Sequence, residues 1–271
     1  MSAVIDTTLV DRARDGDRDA LGLLLDSLRG PLHRLAVSML WSREDAEDAT
    51  QEALIAVMTN LATFRGEASV STWAHRIAVR LYLRRRRSPI ESLGLTFDAF
   101  AVDLLDGLAA NDSTRPDAEL LAEETRIGCT LAVLQCLDRD ERLVFVLGDV
   151  LALSGHEAAD VLGVSHDVYR KRLSRVRSQI RHAVSHHCGL INPEAPCRCS
   201  KRVDVAVRSG RVQPEQLRFV DHDAVERTKQ QIQHLYDVTA LFRSVGQFDT
   251  PAELTANVLA VLARTSGPLL G

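Results

Sequence analysis

The stretch from Ser154 to Arg181, "SGHEAADVLGVSHDVYRKRLSRVRSQIR", decides the fold class. Ser154 is suited to cap a helix whose Ala158, Ala159, Val161 and Leu162 are small or apolar, which lets a second helix cross it closely. Gly163 permits a tight turn, and Ser165 is placed to cap the next helix. There Tyr169, Leu173, Val176 and Ile180 recur at intervals of four, three and four, the spacing of one buried stripe. Arg170, Lys171, Arg172, Arg175, Arg177 and Arg181 fan around the remaining surface, opposed only by Asp167. Such a helix suits a DNA major groove, with its first residues at base edges and its later arginines on phosphates. An amphipathic helix with a solvated basic face has the same pattern; the preceding helix and glycine turn favour DNA. The "HEAAD" at His156 to Asp160 resembles the start of a zinc-protease helix, but Asp160 stands where that chemistry needs a second histidine.

Outward from this stretch the chain stays helical. Apolar residues recur at three and four from Arg14 to about Leu83, punctuated by Gly30 with Pro31 and by Arg65 with Gly66. The expectation is an all-α protein with one helical domain over residues 10–88, a flexible linker over 89–116 and a helix-turn-helix domain over 117–185. The linker is read from "DLLDGLAANDSTRPD", mildly acidic and rich in turn formers. Residues 186–271 form a cysteine-containing helical extension. A length of 271 residues suits about two domains. No apolar run approaches the ~20 residues of a membrane helix, and the first residues lack a signal pattern, so a cytoplasmic address is expected. Five cysteines, an odd number, argue against a secreted disulfide framework. No Gly-rich phosphate loop or nucleophile–base signature marks an enzyme.

The formal net charge of -4 hides strong segregation. In the acidic segment "EDAEDATQEAL", Asp48, Gln51 and Glu52 share one helix face, fit for a polar partner or simply for water. The following segment has no acidic residue from Ala68 to Pro89, yet carries Arg76, Arg80 and Arg84 to Arg87 with Trp73, His75 and Tyr82 interleaved. Arginines grip phosphates and aromatics stack on unpaired bases, so this segment is a candidate single-strand platform. Trp73 as a core residue is the competing reading.

Together, "DAEDATQEALIAVMTNLATFRGEASVSTWAHRIAVRLYLRRRR" and "LDRDERLVFVLGDVLALSGHEAADVLGVSHDVYRKRLSRVRSQIR" resemble an extracytoplasmic-function (ECF) sigma factor, a promoter-specificity subunit of bacterial RNA polymerase. The resemblance covers roughly residues 10–185, with two motif sets in order around a linker. It implies that Asp48, Gln51 and Glu52 bind the core polymerase. It also implies that Phe64, Arg65, Ser71, Thr72, Trp73, Arg76 and Arg80 hold flipped bases and melted strand at the minus-ten element of promoter DNA. Ser165, Arg170, Lys171, Arg172 and Arg175 are then the minus-thirty-five contacts, and an anti-sigma or other regulatory protein is a further expected partner. Asp167, Val168 and Tyr169 replace the family's more usual Gly-Thr-Val, which bears on base preference. A one-component transcription regulator accounts for residues 120–199 but gives Arg65 to Arg87 no task.

In the extension, "HHCGLINPEAPCRC" offers Cys188, Cys197 and Cys199 beside His186 and His187. With His187 as fourth donor these make a candidate zinc site, although C-x8-C-x-C is not a standard zinc-finger spacing. Redox sensing and plain packing are the other roles these thiols fit.

Overall fold

A computed structural model describes residues 7–220, 237–245 and 250–264. The helices are α1 (Thr7–Arg14), α2 (Arg18–Leu40), α3 (Arg43–Thr59), α4 (Val70–Arg84), α5 (Pro89–Ser92), α6 (Phe97–Leu105), α7 (Ala118–Gln135), α8 (Arg139–Phe145), α9 (Gly155–Leu162), α10 (His166–His187), α11 (Cys199–Arg208), α12 (Val238–Val245) and α13 (Glu253–Arg264). A π turn at Val146–Val150 follows α8. Among the described residues there is no strand, only one isolated bridge between Cys188 and Cys197.

Local chemistry sets these boundaries. The Ser154 hydroxyl accepts from the Glu157 amide while the Glu157 carboxylate accepts from the Ser154 amide, a reciprocal cap that starts α9. Gly163 ends α9 at φ 66°, a left-handed conformation that a side chain would strain. Ser165 then caps α10 by accepting from the Val168 amide. Tyr169, Leu173, Val176, Ile180 and Val184 are buried along one stripe of α10. The Tyr169 hydroxyl donates to the Val144 carbonyl at 3.1 Å, and a Cβ at Gly148 would collide with that hydroxyl, so the π turn needs glycine there.

The segment expected to be a flexible linker is partly helical and packed. Its stretch "FDAFAVDLL" is apolar enough to form α6, which buries Phe100 and Leu104. Ser88 and Glu91 form a second reciprocal cap that opens α5. Its aspartates read as a solvated linker, but Phe97, Phe100 and Leu104 between them supply a packed helical face.

The main hydrophobic cluster runs from Val10 in α1 through α2–α4 and α7–α10 to Val258 in α13. Two arginines seal the seam between the halves. Arg139 donates to both Glu91 oxygens at 2.9 and 2.7 Å and to the Leu83, Arg85 and Arg86 carbonyls at the end of α4. Arg142, fully buried, donates to Glu91 Oε1 at 3.0 Å and to the Met39 carbonyl at 2.6 Å. Burial works against the Glu91 charge, but the Arg139 hydrogen bond, the Ser88 amide and the Arg142 charge outweigh it and hold the carboxyl at about 2.

The extension docks on the second half rather than extending away. Val203, Ala206 and Val212 pack with Leu121 of α7. Arg202 donates to the Asp103, Leu104 and Asp106 carbonyls, satisfying the open end of α6. Phe242 of α12 meets Phe145 edge-on with ring centroids 5.0 Å apart.

Candidate polymerase and DNA interface

Ser42 caps α3, and Ala46, Ala49, Thr50, Ala53, Leu54 and Val57 form its buried face. Asp48 and Glu52 therefore project outward and are exposed, with Gln51 half-buried between them. Glu52 lies 3.6 Å from Arg85, so the acidic face continues into the basic end of α4.

The candidate single-strand platform separates into surface and core. Arg65 and Arg80 are exposed, and Trp73 is half-buried with its ring 5.4 Å from that of Phe64, which is buried. Thr72 is buried and hydrogen-bonded to the Ser69 hydroxyl, which caps α4. Ser71 is half-buried, and its carbonyl sits 2.7 Å from His75 Nδ1. His75 and Tyr82, read from sequence as aromatics interleaved with the arginines, instead belong to the core: Tyr82 is 1% exposed and donates to the Leu32 carbonyl. Helical phase explains the correction, since Ala74, His75, Ala78, Val79 and Tyr82 face inward. Burial pushes the His75 ring below its ordinary value, against the opposing pull of the Ser71 carbonyl. Arg76 forms an ion pair with Asp160 of α9.

On α10, Ser165, Arg170, Lys171, Arg172 and Arg175 are all exposed. Arg177 is set apart from this fan: it donates to both oxygens of buried Asp149, at 2.8 and 2.7 Å, tying α10 to the π turn. Sequence gave no warning, because Asp149 lies in an apolar run 28 residues away.

The thiols of the extension lie near one another. Cys188, Cys199 and also Cys129 of α7 line one cavity of about 30 Å³, while Cys197 pairs with Cys188 through the bridge and the Gly189 amide donates to its carbonyl. His187 is not in that lining. His186 bonds to the His182 carbonyl on the surface of α10. Among the described residues, no group of three or more His, Cys, Asp or Glu side chains is placed to hold a metal ion.

Residues 24–89, which span most of α2 and all of α3 and α4, match the family described as Sigma-70 region 2. The ECF RNA polymerase sigma-E factor of Escherichia coli K12 is 30% identical over 187 residues, covering 66% of this chain and 94% of that protein. This chain belongs to the ECF sigma factor family. The sigma-E factor of Haemophilus influenzae is 29% identical over 184 residues, with 66% and 95% covered. A solved structure of CnrH in complex with the cytosolic domain of CnrY superposes with a TM-score of 0.48 at 23% identity, covering 66% of this chain and 97% of that one. As an ECF sigma factor the chain binds core RNA polymerase and directs it to promoter DNA for initiation. Its relatives are sigma factors, which are not enzymes. Among the described residues no helix is long and apolar enough to cross a membrane.

Proposed function

We propose that this sigma factor distributes its work over three surfaces and that the free chain holds one of them closed. The outward face of α3, with Asp48, Gln51 and Glu52, is the polymerase contact. Arg65, Trp73 and Arg80, on α4 and the loop before it, receive the unpaired minus-ten strand, while Phe64, Ser71 and Thr72 support them from within. The exposed basic side of α10 reads the minus-thirty-five element, with Arg170, Lys171, Arg172 and Arg175 in the groove. The protein acts in the cytoplasm, where its polymerase is.

The observation that carries the closed state is the pairing of Arg76 with Asp160 across the seam. An arginine assigned to promoter phosphate is neutralised by a carboxylate of the DNA-reading half. Together α4 and α9 pack face to face, so a minus-ten strand reaches all of α4 only after the seam parts. Contact with polymerase supplies the free energy for that separation, because ligands that bind one conformer better shift the population toward it. Asp48→Arg with Glu52→Arg should abolish association with core polymerase in a pull-down, since two attractive charges become repulsive on an exposed face. The same double variant should still bind a minus-thirty-five duplex through α10. Polymerase capture at the wild-type level would overturn the assignment.

A further inference from the structure

We propose that Cys129, Cys188, Cys197 and Cys199 form a four-thiolate zinc site that fastens the C-terminal extension to the minus-thirty-five-reading half. Three separate parts of the chain bring the thiols together. Cys129 comes from the middle of α7, Cys188 from the residue that ends α10, and Cys197 and Cys199 from the turn entering α11. This reading goes beyond the sigma-factor assignment and does not depend on it. It also changes the expected ligand set: Cys129 of α7, which lines the cavity, takes the place expected of His187, while Cys197, itself outside that lining, joins the cluster through its bridge to Cys188.

Burial alone favours the protonated thiols, while several neighbours pull the other way, toward the thiolate. The Leu190 and Ile191 amides are directed at the Cys188 sulfur, a contact that favours its anion. Cys199 is the first residue of α11, whose N-terminus carries no side-chain cap, so its sulfur sits at the positive end of the helix dipole. Four thiolates around Zn²⁺ leave a net charge of about -2. Arg126, Arg198 and Arg202 stand close enough to favour that charge at individual sulfurs. Without metal, burial raises all four thiols, Cys197 to about 11 and Cys199 to about 12.

The cavity of about 30 Å³ has room for one ion. Cys129, Cys188 and Cys199 line this cavity, Cys197 flanks it through its bridge to Cys188, and no group is yet placed to hold an ion, so binding requires the thiols to swing inward about their χ1 bonds. Each thiol releases its proton to solvent as its sulfur bonds to the metal, and affinity should therefore fall as pH falls.

The test uses full-length protein purified without chelator. Elemental analysis should find about one zinc per chain. Replacement by Co²⁺ should give the absorption of a tetrahedral four-sulfur site, which distinguishes it from a three-sulfur, one-nitrogen site without any substitution. Cys129→Ser should lose the metal, and His187→Ala should keep it. Because Cys129→Ser removes a buried group, far-UV circular dichroism of the metal-free wild type and of Cys199→Ser separates loss of metal from loss of fold. Wild-type protein that takes up neither Zn²⁺ nor Co²⁺ overturns the proposal. So does iron in place of zinc, or metal lost with His187 and kept without Cys129.

Discussion

Arg76 on α4 and Asp160 on α9 are joined by an ion pair, although one belongs to the candidate minus-ten surface and the other to the helix preceding the minus-thirty-five reader. Both side chains remain partly exposed, at 28% and 43%. Exposed pairs contribute only ~0–1 kcal/mol, so Asp160→Ala should leave thermal stability almost unchanged. It should nevertheless free Arg76 and loosen the seam. Titration of a labelled single-stranded minus-ten oligonucleotide should show tighter binding by Asp160→Ala and weaker binding by Arg76→Ala. Equal affinities for wild type and Asp160→Ala would mean that the pair does not restrain the DNA surface.

A second seam contact predicts acid sensitivity. Glu91 is held at about 2 in the folded chain, below its ordinary value of 4.5, because Arg139, the Ser88 amide and Arg142 outweigh the opposing effect of burial. A depressed carboxyl contributes stability that is complete above the unfolded value and is lost as pH falls from about 4.5 toward about 2. Glu91→Gln should therefore cost about 3 kcal/mol near neutrality, the low end for breaking a buried pair because Arg139 keeps some solvent contact. The gap between variant and wild type should narrow on acidification. Urea unfolding at about pH 6 and about pH 3 measures it; a gap that does not change with pH would locate the stabilisation elsewhere.

Much of this arrangement was legible because local signals and tertiary packing agree. Ser154, Gly163, Ser165 and the Tyr169 to Ile180 stripe each specify a boundary or a buried face from a few neighbouring residues, and the structure uses them as such. The acidic face of α3 was readable for the same reason. What stayed hidden depends on partners distant in sequence. Arg142 reads as one of several charges at a helix start, yet it is buried on the Met39 carbonyl 103 residues away. Cys129 sits in an apolar run with no metal-like spacing to Cys188, and only the packing of α7 against α11 brings it near. His75 and Tyr82 were misplaced for a different reason. Alternation with arginines suggests one surface, while a helix turns successive residues to opposite sides.

The two kinds of arginine on α10 give the sharpest contrast. Arg172 is exposed within the solvent-facing basic fan, whereas Arg177 holds Asp149, whose side chain is 1% exposed. Arg172→Ala should leave stability within about 0.5 kcal/mol, as for most surface substitutions. It should change preference among minus-thirty-five variants by roughly 1–3 kcal/mol if the guanidinium pairs with a base edge. Arg177→Ala should do the reverse. It strands a buried carboxylate at the π turn and should cost about 2 kcal/mol, less than a fully buried pair because Arg177 itself is half in water. Its binding should weaken uniformly across promoter variants as the reading helix loses its seat. Denaturation curves and competition binding on the same pair of variants separate the two roles. Uniform weakening by Arg172→Ala would reassign that residue to a phosphate, and an altered base preference in Arg177→Ala would mean that this arginine leaves Asp149 to reach the groove.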